Sequence, residues 1–301
     1  MRTAGRWLTV LAALVLPVSG VRAQEDPPPP APGDLPEAST LETARGIGLG
    51  TGARASGVST SAAAYNPANL GMVQLYHLES EVGFSPSLGG WWVGGTVVDS
   101  VSSPLAAGVS FRGAFNLGEE EYTGYDGRLA LGYAISDAIA LGVSGRFLKL
   151  RPDGQDEGVV DEGTKGFTMD AALRVTPTEN LHIAALGYNL IDRHSALVPM
   201  MVGGSLSYAV ADVVSIGGEG LVDLSTFDGA EVVAGGGVEY LAAGTVPLRL
   251  GYRFDSGRGL HAVTASVGYV DKHVGLDIAL RQDVTESKNT HLLLTFRYHV
   301  Q

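Results

Sequence analysis

The 301-residue chain contains no cysteine. Disulfides, thiol catalysis and an acylated N-terminal cysteine are therefore excluded. Charge is sparse, at 17% of residues, and leans acidic: 20 Lys and Arg stand against 32 Asp and Glu, a net charge of −12. Nucleic acid, which is held by a basic surface, is not a partner on this reading. A long apolar helix is missing as well. Beyond the N-terminus the best charge-free stretch, Val82 to Val98, is broken by five glycines and a proline, too many for a stable membrane helix. The seven histidines, His77, His182, His194, His261, His273, His291 and His299, fall in no metal-ligand spacing such as His-x-x-x-His. No Gly-x-Ser-x-Gly motif is present. The glycines of Gly46 to Gly52 follow no strand and so fail as a dinucleotide loop. The expectation is a protein that is not an enzyme and has no metal and no cofactor.

The N-terminus has the layout of a secretory signal. Arg2 and Arg6 precede an apolar run from Trp7 to Pro17, and Val21-Arg22-Ala23 is a small-residue cleavage site. The run is too short to span a bilayer. Without Arg2, Arg6 and Arg22 the mature chain keeps 17 bases against 32 acids and is more acidic still. Residues 24–40 are proline-rich and acidic, with Pro27 to Pro30 in a row, and read as an extended linker.

What is present in abundance is glycine, 42 residues, and two-residue alternation. The clearest unit is the hairpin Arg128 to Arg151, with its turn expected at Ser136-Asp137. Leu129, Leu131, Tyr133 and Ile135, then Ile139, Leu141, Val143 and Phe147, share one face; small or charged residues share the other. From Leu75 onward the pattern predicts 14 strands, at roughly 75–84, 89–98, 104–113, 122–135, 138–150, 166–175, 181–191, 201–210, 213–224, 230–240, 246–254, 260–270, 273–282 and 290–300. Late strands repeat the theme. Val274, Leu276, Ile278 and Leu280 oppose Gly275, Asp277, Ala279 and Arg281.

With the N-terminus placed on the periplasmic side, the turns on that side are short and those opposite are on the whole longer and more acidic, notably Glu119 to Glu121 and Asp153 to Glu162. Short turns at one end and longer loops at the other are expected of an outer-membrane barrel. A soluble sandwich would share the alternation. The signal-like N-terminus, the loop asymmetry, the even strand number and the glycine content favour an all-β, antiparallel transmembrane β-barrel of about 14 strands. Its lumen is then lined by Arg128, Arg146, Asp170, Arg174, Glu219, Glu239, Arg249, Arg253, Asp277 and Arg281. Such charges in a narrow lumen are read first as mutually satisfying and shape-holding, with a selectivity lining as the other reading. Glycines Gly89, Gly90, Gly94 and Gly95 surround Trp91-Trp92 and mark a candidate strand kink that would open the wall.

The stretch Gly50-Thr51-Gly52-Ala53-Arg54-Ala55-Ser56-Gly57, followed by Tyr65-Asn66-Pro67-Ala68-Asn69-Leu70, resembles the N-terminal segment of the FadL-type outer-membrane transporters, a family that includes the PorV/PorQ-like branch. Ala185 to Leu190, Gly237 to Tyr240 and Leu248 to Tyr252 resemble later strands of that family. The resemblance implies a plug, or hatch, at residues 41–72 inside a barrel at 73–301, with Gly52, Arg54, Gly57, Asn66, Pro67 and Ala68 as its motif. It also implies lateral release through a kinked early strand. The chain departs from the family in carrying Ser61 to Ala64 where an acidic pair is usual, in its reduced loops, and in ending on Gln301.

The function expected is passive passage of hydrophobic small molecules, fatty-acid-like or aromatic, through the outer membrane of a Gram-negative bacterium, gated by the hatch. The alternatives are a non-transporting scaffold or shuttle of a secretion system, with a secretion-system partner, and a structural barrel. In each case outer-membrane lipid is a partner; a hydrophobic ligand belongs to the first. The ligand-binding residues are unknown at this stage.

Overall fold

The computed structural model describes residues 42–87, 89–117, 122–151, 164–285 and 288–300. The expected signal peptide at 1–23 and linker at 24–40 lie outside them. Fourteen strands follow one another: β1 Tyr76–Phe84, β2 Trp91–Asp99, β3 Leu105–Leu117, β4 Tyr122–Ser136, β5 Ile139–Arg151, β6 Thr164–Thr178, β7 Leu181–Tyr188, β8 Met201–Ala211, β9 Val214–Asp223, β10 Glu231–Ala242, β11 Val246–Asp255, β12 Leu260–Val270, β13 Val274–Asp283 and β14 Thr290–His299. Each pairs antiparallel with its sequence neighbours, and β1 pairs with β14 from His77↔His299 to Phe84↔Leu292, closing the barrel. Closure leaves no unpaired edge, the condition for carrying backbone polar groups through hydrocarbon.

The alternation that marks the strands in sequence decides which face sees what. Outward positions are apolar all round: Phe111, Ile135 and Leu250 are 58%, 57% and 69% exposed, and every strand contributes similar residues. A continuous apolar exterior on a closed sheet is a lipid-facing surface rather than a water-facing one. Aromatic residues flank it at two levels. At the end remote from the chain termini, Trp91 stacks on Phe115, and Tyr125 on Phe111 and Phe147. At the terminal end, Tyr133, Tyr208, Tyr240, Tyr269 and Tyr298 face outward. On β4 the two levels lie at Tyr125 and Tyr133, about 26 Å apart at ~3.3 Å per residue, or about 20 Å along the barrel axis at a tilt of ~40°. That is comparable to the ~25 Å apolar band of an outer-membrane barrel with aromatic girdles. The protein is a membrane-spanning β-barrel.

Strand ends differ from the sequence reading in instructive ways. β3 runs to Leu117 rather than 113, because Ala114 continues inward and Phe115 outward past Gly113. β7 stops at Tyr188 rather than 191, because Asn189 turns left-handed (φ 51°) and its side-chain Nδ2 donates to Pro199 O at 2.8 Å. The hairpin turn falls at 137–138, one residue later than expected, with a bulge between Ala134 and Ser136. The kink expected at Gly89, Gly90, Gly94 and Gly95 is not found. Gly89 and Gly90 belong to the turn before β2, and β2 pairs with β1 and β3 over its whole length without a register shift. Gly94 instead makes room: a Cβ there would meet Glu81 Oε1 at 2.7 Å and Phe111 O at 2.9 Å.

Residues 42–72 form α1 (Ala44–Gly48), α2 (Thr60–Tyr65) and a 3₁₀ turn at Pro67–Met72. Thr43 caps α1 by accepting from Gly46 N at 3.1 Å. These elements pack on the inward faces of the strands: α1 on β11 to β14, α2 on β2 to β4, and the 3₁₀ turn on β3 to β6. The wall meets them with glycine. Side chains at Gly237 and Gly251 would collide with the backbone of Leu49, and side chains at Gly132 and Gly142 with that of Pro67 and Ala68. At Gly50 (φ 57°) and Thr51 (φ 71°) the chain turns in the left-handed region while pressed against Tyr252 O. Much of the glycine content thus reflects two backbones approaching each other inside the barrel.

Candidate functional site

All ten residues expected to line the lumen point inward, and nine are buried, with Glu239 half-buried. They do not form one ring. On one side, Arg146 pairs with Asp126, and Arg128 pairs with Asp170 at 3.1 Å, which also accepts from Ser144 Oγ at 2.7 Å and from Asn189 N at 2.9 Å. On the other side, Arg249 pairs with Glu239 at 2.5 Å and Asp277 at 2.6 Å. Arg253 and Arg281 both reach Glu42, at 3.3 and 2.7 Å. Arg174 donates to Asn69 Oδ1 at 3.3 Å, and Glu219 pairs with Arg54 at 2.8 Å.

The charges on the wall are therefore anchors for the segment 42–72. Glu42 bridges to β11 and β13, and its carbonyl accepts from Arg112 of β3 at 2.9 Å. Arg45 pairs with Glu239 of β10 at 3.0 Å. Ser59 Oγ hydrogen-bonds His77 Nδ1 of β1 at 2.5 Å, and Thr60 Oγ1 donates to Glu79 at 3.0 Å. Arg128 of β4 donates to Ala64 O at 2.5 Å, and Tyr188 of β7 donates to Tyr65 O.

At the centre sits Arg54, 3% exposed. Its guanidinium lies over the rings of Tyr65 (5.0 Å) and Tyr188 (4.7 Å) while pairing with Glu219. Burial by itself would depress this guanidinium; the Glu219 carboxylate and the two tyrosines outweigh it and hold the group above its ordinary value. Burial, with Glu42 nearby, pushes the Tyr65 phenol up, so it stays protonated; its hydroxyl oxygen accepts from Thr43 N at 2.8 Å.

The motif residues converge on the same point. Asn66 accepts from Ala68 N at 3.2 Å and so caps the 3₁₀ turn, with Pro67 at its first position. Asn66 and Asn69 each donate from Nδ2 to Arg54 O, at 2.8 and 3.0 Å, and Asn69 also donates to Gly57 O at 2.8 Å. Gly52 lies against Gly217 O and Gly236 Cα, where a Cβ would come within 2.7 and 2.8 Å.

Above and below this layer the interior changes character. Toward the loop end, Leu148 and Leu150 of β5 and Ala114 of β3 face inward and pack on Leu197 and Val198 of the loop 189–200. Leu186, Tyr188, Met201, Leu221 and Val233 form a separate apolar cluster around β7 to β10 that reaches down to Ala55 and Ala68. Toward the terminal end lies a chamber of about 350 Å³ lined by Glu239, Arg249, Asp277, Arg297 and Pro247. A second hollow, of about 600 Å³, is apolar and opens on the lipid side between Tyr240, Leu250, Val267 and Ile278.

Sequence reasoning passed over Glu42, Arg45, Glu79, Glu81, Arg112 and Asp126. The signal was there for the strand residues: Glu79 and Glu81 alternate with Leu78, Val82 and Phe84, and Arg112 with Phe111. It also passed over the inward leucines of the loop end, because the lumen was expected to be polar throughout. No metal-binding group of His, Cys, Asp or Glu occurs among the described residues.

No protein-family model matches the chain, and no curated protein matches it. Solved structures do. The Ralstonia pickettii toluene transporter TbuX is similar at 13% identity with a TM-score of 0.62, over 87% of this chain and 99% of that one. A Pseudomonas aeruginosa FadL homologue is similar at 10% identity and 0.62, over 86% and 99%. The P. putida toluene transporter TodX is similar at 11% identity and 0.60, over 87% and 99%. At these identities the likeness is one of fold.

Proposed function

We propose that the protein is a channel of the Gram-negative outer membrane for passive passage of hydrophobic small molecules, and that residues 42–72 are its hatch. The observation that carries this reading is the layering of the interior. An apolar cup formed by Leu148, Leu150, Leu197 and Val198, closed at the loop end by the packing of these side chains on one another, would open with the loop that carries Leu197 and Val198 to take an apolar compound out of water. Deeper in the lumen lies a segment held to the wall in part by hydrogen bonds and ion pairs, which can be exchanged for water without breaking a covalent bond. The fold shared with transporters of toluene supports the same reading. No energy source is needed, since dilution on the far side and burial on the way drive the flux.

The chain's lack of cysteine allows a clean test. Ala63 Cβ lies 2.8 Å from the position a Cβ at Gly108 of β3 would take, so Ala63→Cys with Gly108→Cys brings two thiols within disulfide reach after a shift of about 1 Å. Uptake of radiolabelled toluene, by cells with this protein as the added channel, is expected to be blocked when the pair is oxidised and restored by reductant. Equal uptake in both states refutes the hatch. Uptake no greater than in cells without the protein refutes passage itself and leaves the scaffold reading in its place.

A further inference from the structure

The lipid-facing surface carries Lys or Arg, among the described residues, at only three strand positions, and they are neighbours. Lys149 and Arg151 are the last outward residues of β5, and Lys165 is the first of β6. Lys149 and Lys165 are direct register partners. Side chains so placed stand ~5 Å apart at Cβ, and like charges there repel. Among the described residues neither ammonium has a carboxylate partner. Arg193, from the loop 189–200, brings a fourth cation to the rim, its Nη2 donating to Lys165 O at 2.9 Å.

The position identifies what answers this charge. One step toward the membrane centre, Phe147 and Phe167 are again register partners and both are exposed, with Tyr125 beside Phe147 at a ring distance of 6.3 Å. Aromatic rings at this level sit among headgroups. The lysines lie just above them, at the height of lipid phosphates, on the loop end of the barrel. A phosphate between two opposed ammonium groups turns their repulsion into attraction and is a charge-assisted partner for both.

We propose that Lys149 and Lys165, with Arg151 and Arg193 at the rim, form a binding site for the phosphate of an outer-leaflet phosphoglycolipid. Its acyl chains would lie on the aromatic and aliphatic wall of β4 to β6. The inference goes beyond passage of small molecules and depends only on the barrel spanning the membrane with its loop end outward. Sequence reading named outer-membrane lipid as a partner in general; the structure gives that partner a headgroup and a place.

The test is native mass spectrometry of the full mature chain released from nanodiscs of phosphatidylcholine containing either diphosphoryl lipid A or its enzymatically dephosphorylated form. The wild-type protein is expected to retain the diphosphoryl lipid at least fivefold more than the dephosphorylated one. Lys149→Gln with Lys165→Gln is expected to abolish that preference, whereas Lys149→Arg with Lys165→Arg, and the distant Lys288→Gln, keep it. Free inorganic phosphate at millimolar concentration is not expected to displace the lipid, because the acyl chains contribute to its retention. Absence of a preference in the wild-type protein overturns the proposal without reference to any variant: the cations are then answered by the chain's own loop carboxylates. An undiminished preference in the Gln pair, or displacement by phosphate alone, overturns it equally.

Discussion

Replacing Arg54 by Ala should loosen the luminal segment while leaving the barrel standing. Arg54 and Glu219 are both essentially buried, 2.8 Å apart, and Arg54 lies between two tyrosine rings. Removing one partner of a buried pair costs about 3–5 kcal/mol, because the other charge is left uncompensated. Two cation–π contacts add about 1 kcal/mol each. These losses fall on the docked arrangement and not on the released one, where Glu219 meets water. A shift of about 5 kcal/mol changes the docked-to-released ratio by roughly 10³ to 10⁴. The reporter is Ser61→Cys, a near-isosteric thiol in a chain with none, at a position 2% exposed. Its reaction with a maleimide in a folded barrel measures the released fraction. In the Arg54→Ala background labelling should accelerate by about 10³, short of the full shift if the released state becomes the majority. Arg54→Met with Glu219→Leu removes both charges and should label slowly again. Folding is checked by the fast gel migration of the unheated barrel. Acceleration below tenfold in Arg54→Ala, or a double variant that labels as fast as the single one, refutes the assignment of Arg54 as the central anchor.

Two further outcomes follow from the packing. Asp170→Ala strands the Arg128 guanidinium and releases Ser144 and Asn189 N; the barrel should lose about 3–5 kcal/mol, seen as a fall of roughly 10 °C in the temperature at which gel mobility changes, whereas Ser144→Ala should cost only about 1 kcal/mol. Gly237→Val would place its Cβ 2.6 Å from Leu250 O and 2.8 Å from Leu49 Cα, while Gly220→Val on the lipid face meets nothing within 4 Å. The first should displace the luminal segment and raise Ser61→Cys labelling, and the second should leave both labelling and stability unchanged; equal behaviour of the two would contradict the placement of Leu49 on the wall.

Strand number and facing were legible because lipid outside and a filled lumen inside impose a period of two on every strand, and Leu129 to Ile135 or Val274 to Leu280 carry it without a break. The partners of the charges were not legible. Arg54 and Glu219 are 165 positions apart, and nothing local to either residue names the other. The kink was misread because a glycine between apolar residues has two meanings, a bend or a neighbour's space, and only the Glu81 side chain beside Gly94 decides between them. One signal in β5 was readable and passed over. After Phe147 the alternation inverts, so that Leu148 and Leu150 face the lumen while Lys149 and Arg151 face out. That inversion marks the level at which the strand leaves hydrocarbon. These four residues contribute to the apolar cup inside and to the cationic patch outside.

The way the segment is held also bears on how it could move. Nearly half of its buried residues are Ala or Gly, as in Ala53, Ala55 and Ala62 to Ala64, which gain little from burial beyond close contact; Ile47, Leu49, Tyr65 and Leu70 supply the larger apolar contacts. Polar anchors to the wall add to these contacts, and they differ along the segment. Around α1 they are ion pairs of Glu42 and Arg45 to β10, β11 and β13, which water can replace on both partners. Around Pro67–Met72 the chain lies backbone to backbone on Gly132 and Gly142, as residues 49–52 do on Gly217, Gly235, Gly237 and Gly251, a fit with no polar substitute. Between the two halves the chain passes Gly57, exposed Val58 and Ser59 at φ 57°, a short turn able to absorb a change in direction. Release should then begin at the ion-paired start of the segment, Glu42 to Arg45, with the two glycine-backed stretches as its fixed points. Buried ion pairs are a poor choice for stability alone, since apolar replacements of the same volume often stabilise more; they suit the reversible movement proposed above for this segment.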